Sequence, residues 1–218
     1  MATQGTRPYR SGLRAEQARA TRRAVVRAAE ELFVERGYAG TTIDAVAERA
    51  GVSRKTVFTS VGGKAELLKL AWDWALAGDD EPLDVASRPV VQSMMAERDP
   101  VRLVGTWAAF VSEISARVAD LHPVLSGTAR SDPEIAAIDE TSERNLLGGA
   151  TAFVARLAAI GALREDLTVG TAAPQATLLM DPMPYRRLVR RAGWSFEDYV
   201  AWVAATASAM LLRPASPE

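Results

Sequence analysis

Ser53, Arg54, Lys55, Thr56 and Thr59 fall within seven residues of one another, directly after Gly51-Val52. Arginine and lysine can donate to guanine O6 and N7, and threonine can meet a base edge or a thymine methyl. Each good contact of this kind discriminates between bases by about 1–3 kcal/mol. Arg54, Lys55, Thr56 and Thr59 are therefore candidates for reading a nucleic acid. Thr42, Ser53, Phe58 and Lys64 are candidates for fixing the position of its backbone, a task that carries no sequence information itself. For Phe58 the alternative is ordinary packing in a small helical core.

Such donors need a platform. The stretch Thr41–Leu68, TTIDAVAERAGVSRKTVFTSVGGKAELL, reads as two short helices joined by a tight turn at Gly51-Val52-Ser53. Ile43, Val46, Ala47, Ala50, Val52 and Val57 fall where a core belongs, which leaves the hydroxyls and cations of the second helix pointing outward. A helix presented in this way fits a major groove. Thr41 or Thr42 is placed to cap the first helix of the pair and Ser53 the second. The free N–H groups near Thr42 and Lys64 are expected phosphate contacts.

The same residues resemble the DNA-binding domain of the TetR/AcrR family of transcriptional regulators. The matching run is Thr41-Thr42-Ile43, Ala47-Glu48-Arg49-Ala50-Gly51-Val52-Ser53, Thr56-Val57-Phe58, Val61, and Lys64-Ala65-Glu66-Leu67-Leu68. Phe58 stands where the family usually has Tyr, Val61 where it usually has Phe, and Gly62-Gly63 softens the turn that follows. The likeness is looser beyond the first third of the chain. It is carried there by Gly161-Ala162-Leu163-Arg164, Tyr185-Arg186-Arg187-Leu188-Val189, Gly193-Trp194-Ser195, Tyr199 and Trp202.

Several expectations follow from the resemblance. It implies an N-terminal DNA-binding domain over residues 1–62 and an effector-binding and dimerisation domain over 63–218. It implies a ligand-responsive repressor acting as a homodimer on a palindrome-like stretch of double-stranded DNA. Two C-terminal helices, around Thr168–Met180 and Ser195–Leu212, would form the dimer bundle. An effector cavity among the middle helices would be lined by Met94, Met95, Trp107, Phe110, His122, Phe153 and Met180. Met and aromatic side chains suit an adaptable apolar pocket and a small apolar effector. At helical spacing they equally suit plain core. His122, the only histidine, is also placed to cap a helix end.

Composition narrows the alternatives. The 218 residues carry a net charge of −1, but residues 1–70 hold 13 Lys and Arg against 7 Asp and Glu, and the remainder 13 against 20. Seven arginines (Arg7, Arg10, Arg14, Arg19, Arg22, Arg23 and Arg27) face one acid, Glu16, within the first 29 residues. One basic end implies a polyanionic partner for that end only; the arginines before Ala15 would be an arm on the DNA or a disordered tail. Cysteine is absent, which excludes disulfides and thiolate chemistry and fits a reducing cytoplasm. No apolar run reaches the ~20 residues of a membrane span, and MATQGTRPYRSG lacks the apolar core of a signal peptide.

An enzyme is a poor alternative. One histidine, no phosphate loop and no metal-ligand spacing leave no catalytic constellation, and no cofactor is expected. Asp79-Asp80-Glu81 could attract a divalent cation, but adjacent carboxylates in a turn do not preorganise a site. A non-specific DNA binder would leave the long C-terminal region without a use.

The elements that hold these residues are all helical; no convincing alternating strand occurs. Ala18, Val25, Ala29, Leu32 and Phe33 recur at helical spacing and predict a helix over 15–36, with Arg19, Arg23 and Arg27 opposite and Gly37 as its stop. Further helices are expected over 64–77, 89–97, from Asp99-Pro100 to about 118, from Asp132-Pro133 to about 160, over 168–180, from Pro182 to about 192, and from Ser195 onward. The interior pair Gly148-Gly149 costs about 1 kcal/mol per glycine relative to alanine, so close packing or a kink is expected there.

Overall fold

A computed structural model describes residues 7–81 and 85–214, with the side chains of 7–11 left undescribed. The described residues are helical throughout, with one isolated backbone bridge between Leu163 and Leu212. Helix α1 (Arg7–Gly40) is interrupted at Gly37, whose φ of 70° is non-helical. It therefore begins before the expected start and breaks at the expected stop. Helices α2 (Ile43–Ala50), α3 (Arg54–Ser60) and α4 (Lys64–Ala77) follow. After a 3-10 turn (Val85–Ser87) come α5 (Pro89–Ala96), α6 (Pro100–Val118), α7 (His122–Ala129), α8 (Pro133–Ala159) and α9 (Val169–Met180). Helix α10 (Pro182–Tyr185) runs into a π-helical segment (Arg186–Arg191), and α11 (Phe196–Leu211) ends the fold.

Local chemistry sets these boundaries. Asp99 and Asp132 each accept backbone N–H groups at a helix start that has proline in its first turn, where the missing donor costs nothing. Ser195 accepts the N–H of Asp198 in the same way. Gly78 closes α4 in the left-handed conformation. Helix α8 continues through Gly148-Gly149, and a Cβ on Gly149 would meet Met180 Cε of α9 at 3.4 Å. The second glycine thus marks an approach of α9 to α8.

Two apolar clusters hold the helices. The first joins Val25, Ala29, Leu32 and Phe33 of α1 to Val46, Val57, Leu67, Leu68 and Trp72, and extends to Val118, Leu121, Leu125 and Ile135. The second gathers Leu103, Trp107, Val111, Phe153, Leu157, Ala176, Leu179, Tyr199, Val203 and Leu211. Helix α6 contributes to both, so one rod carries residues from each core. Helix α4 is tied to it and to α8: Arg117 of α6 donates to the carbonyls of Ala75 and Leu76 at 2.8 and 2.9 Å, and Trp72 Nε1 donates to Ser142 Oγ at 3.1 Å.

Candidate nucleic-acid interface and C-terminal core

The α2–α3 pair is fixed by three local devices. Thr42, extended at φ −117°, accepts the N–H of Ala45 at 3.1 Å. Gly51 turns the chain at φ 67° and donates to Glu48 O at 3.1 Å. That left-handed turn suits glycine and strains other residues. Ser53 accepts the N–H of Thr56 at 3.0 Å, and the Ser53 and Thr56 hydroxyls lie 2.7 Å apart. Val57 is wholly buried, so it anchors α3 against the core. Ser53, Arg54, Lys55, Phe58 and Thr59 are exposed and Thr56 is half-buried.

Each predicted residue has its own surroundings. Arg54 Nη1 lies 2.6 Å from Asp44 Oδ2, and its guanidinium sits 5.5 Å from the centre of the Phe58 ring. Both partners of that ion pair are mostly exposed, so water and salt compete with it. Lys55 makes no side-chain hydrogen bond or ion pair among the described residues. Phe58 is 46% exposed and stands outside the three-helix core. Thr59 Oγ1 donates to Thr56 O at 3.2 Å. Lys64 is directed inward: Nζ donates to Tyr38 O at 2.8 Å and Thr41 O at 3.1 Å, and lies 4.2 Å from the Tyr38 ring centre. It locks the end of α1 to the start of α4, with one of its three N–H donors left.

The arginines of α1 divide into two sets. Arg19 and Arg23, one helical turn apart, both grip Asp80 beyond the end of α4, with all four contacts between 2.5 and 2.7 Å. The Asp80 side chain is 6% exposed, whereas the arginines are half exposed. The two guanidinium groups hold its carboxyl well below the usual carboxylate range. Asp79 is paired in turn with Arg88 at 2.5 and 2.8 Å. Asp79 and Asp80 are thus arginine partners, and no group of three or more potential metal ligands occurs among the described residues. Arg14 and Arg22 are exposed on a continuous helix. The side chains of Arg7 and Arg10 lie outside the described residues.

The C-terminal candidates converge unevenly. The rings of Trp107 and Phe153 stack at 4.2 Å and 4°, both at least 98% buried. Met94 is buried in the same cluster, with Met95, Phe110 and Met180 packed against it. His122 stands apart from them. It begins α7, 6.0 Å from the Trp72 ring, with a buried Nδ1 that has no partner among the described residues.

Comparison with known proteins bears on the first third of the chain. The family model for bacterial regulatory proteins of the tetR family matches residues 25–71, the segment from the middle of α1 into α4. TtgW of Pseudomonas putida, an uncharacterised HTH-type transcriptional regulator, is 36% identical over 75 residues, which are 34% of this chain and 53% of TtgW. This chain therefore matches about half the length of that relative. Residues 25–71 of this chain belong to the TetR family.

Solved structures extend the TetR-family likeness beyond the first third as a likeness of fold. SmeT, described as the repressor of the Stenotrophomonas maltophilia multidrug efflux pump SmeDEF, is 20% identical with a TM-score of 0.63, over 90% of this chain and 92% of that one. A SmeT–triclosan complex aligns with a TM-score of 0.61 over 91% of this chain and 100% of that one, at 19% identity. NalD, the secondary repressor of the MexAB-OprM pump of Pseudomonas aeruginosa, is 20% identical with a TM-score of 0.63, over 89% of this chain and 98% of that one.

Sequence reasoning missed one polar feature of the second core. Ser112 and Ser115 of α6 and Tyr199 of α11 are wholly buried, and their hydroxyls have no hydrogen-bond partner of normal geometry among the described residues. Each such group costs about 1–3 kcal/mol. Burial pushes the Tyr199 phenol up to about 12, and the adjacent Ser115 offsets this only in part. The signal was present in the sequence. Ser112 and Ser115 sit one and two turns beyond Ala108, on the apolar stripe of α6, where an aliphatic residue would be expected.

Proposed function

We propose that the chain is a sequence-specific DNA-binding regulator, a ligand-responsive repressor that acts as a homodimer on a palindrome-like operator. The observation that carries this reading is the α2–α3 pair, in which a glycine turn and a serine cap leave Arg54, Lys55 and Thr59 facing solvent over a buried Val57. Arg54, Lys55, Thr56 and Thr59 would read base edges. Thr42, Ser53 and Phe58 would set the register on the phosphate backbone. Lys64 would act chiefly by holding α1 against α4, with its remaining donor available to a phosphate. Residues 1–62 would be the DNA-binding unit and 63–218 the effector and dimerisation unit.

Dimerisation is supported by the outer faces of α9 and α11. Leu178 is 65% exposed, and Thr171, Pro174, Ala201, Ala205 and Ala209 share its solvent-facing, uncharged character. Pairing of these faces would set two copies of α3 on successive turns of one face of the duplex, about 34 Å apart. The effector would be a small apolar molecule taken into the cluster around Trp107 and Phe153. It would bias the equilibrium toward a spacing of the α3 helices that no longer fits. The stated binding of triclosan by the similarly folded SmeT supports an aromatic compound of that kind.

Selection of bound duplexes from a random pool, followed by gel-shift titration, tests the reading. Enrichment of an inverted repeat bound by two protomers is expected. No enrichment at low ionic strength, from a protein that stays monomeric, would refute it.

A further inference from the structure

The second core is apolar except at one place. Ser112 and Ser115 lie one turn apart on the buried face of α6, and Tyr199 of α11 reaches the same region beside Ser115. Three fully buried hydroxyls without partners of normal geometry, on two helices packed together, form an unfinished hydrogen-bond set. The wall beside them is aromatic. Tyr185 meets Tyr199 edge-on at 5.0 Å, and Trp202 lies 5.7 Å from it. Tyr185 also opens the π-helical turn, a distortion that recurs at binding sites.

We infer that Ser112, Ser115 and Tyr199 form the polar end of the effector site, and that the effector is an uncharged amphipathic molecule with one hydroxyl-type group on a flat apolar body. This rests on the effector reading above and adds the chemistry of the ligand. Three properties of the place carry it. Hydroxyls both donate and accept, so they match another hydroxyl or a phenol. Asp181 is the charged group acting on Tyr199, and its field disfavours an anionic head. Finally, Trp107, Val111 and Ser115 recur at four-residue steps on one buried stripe. The stacked Trp107–Phe153 pair therefore lies about 12 Å along α6 from Ser115. A body of two aromatic rings spans that distance. Met94 and Met180 beside the stripe can change rotamer to admit it.

A ligand held at Ser115 would lie close to the joint between α6 and α4. Two residues past Ser115, Arg117 holds the last carbonyls of α4. A ligand that draws Ser115 toward itself shifts the residue that pins α4.

The test uses the full chain and a matched pair of probes, 4-phenylphenol and 4-methoxybiphenyl, which differ in the hydroxyl donor. Calorimetric titration of the wild type, of Tyr199→Phe, and of Ser112→Ala with Ser115→Ala gives the affinities. Thermal unfolding checks that each variant is folded, and Tyr199→Phe keeps the ring and its packing. The wild type is expected to prefer the phenol about five- to ten-fold, the worth of a neutral hydrogen bond. Both variants are expected to lose that preference while binding the ether as before. Variants that unfold later than the wild type yet keep the full preference would overturn the inference and leave the effector reading standing. Equal binding of both probes by the wild type, or no binding of either, would likewise overturn it. Triclosan shifting the protein's DNA affinity in the same preparation would show that the broader reading survives.

Discussion

Replacing Phe153 with alanine removes a ring that is fully buried and stacked on Trp107 at 4.2 Å. A phenylalanine truncated in a packed core costs about 3–5 kcal/mol, from lost transfer energy and the hole left behind. The stacked partner places this site toward the upper part of that range, since aromatic pairs add about 0.5–1.5 kcal/mol. In a chain of this size one kcal/mol moves the melting temperature by about 2–4 °C, so a drop of about 8–20 °C is expected. Thermal and urea unfolding at one fixed protein concentration measure it, because the stability of the proposed dimer would vary with concentration. Phe110→Ala, at a partly buried position, should cost clearly less. A loss below about 1.5 kcal/mol at Phe153 would refute the reasoning. It would mean that the ring lines solvent-filled space in solution and is not core.

Three further outcomes are expected. Arg54→Ala with Lys55→Ala should weaken operator binding at least ten-fold without lowering the melting temperature, since each base contact is worth about 1–3 kcal/mol; unchanged affinity in a gel-shift titration would remove both residues from the interface. Gly51→Ala meets no atom within 4 Å but must hold φ at 67°, so it should destabilise by about 1–2 kcal/mol through backbone strain alone, read as a lower melting temperature. Asp79 is held down to about 2 from its ordinary 3.8, chiefly by its hydrogen bonds to Arg88. A lowered carboxylate stabilises the fold above its unfolded value and loses that effect as it protonates, so the contribution should fade between about pH 4 and pH 2. Asp79→Asn should flatten the stability profile in that window, and an unchanged acid limb would count against the ion pair.

Much of the molecule was legible because its boundaries are set by local chemistry. Asp99-Pro100, Asp132-Pro133, Ser195 and Gly78 act within a turn of the chain, and a sequence shows such signals directly. Helix α7 was not legible: it is eight residues long, starts at His122-Pro123, and lacks a capping side chain. The pairing of Asp80 with Arg19 and Arg23 joins positions 61 and 57 residues apart, and nothing local announces it. On α6 the apolar Val101 is 70% exposed, whereas Ser112 and Ser115 are buried on the inner stripe. Periodicity ranks residues by hydropathy, so it passes over polar groups that the fold nevertheless buries. Within α3 the exposed set was legible, because Val57 fixes which side turns inward. The internal engagement of Lys64 depends on carbonyls at the far end of α1 and was not.

The double grip on Asp80 makes a strut of the molecule's upper joint. Helix α4, with 14 residues, is about 21 Å long. It is pinned to α1 near its far end by Arg19 and Arg23, and near its start by Lys64. These contacts tie α4 to α1 before the Gly37 break and to the residues just after it. A tilt of ten degrees about one end would carry the other through on the order of 4 Å, by the length of the rod alone. A tilt of α4 would thus be felt along α1, the helix against which the α2–α3 pair packs.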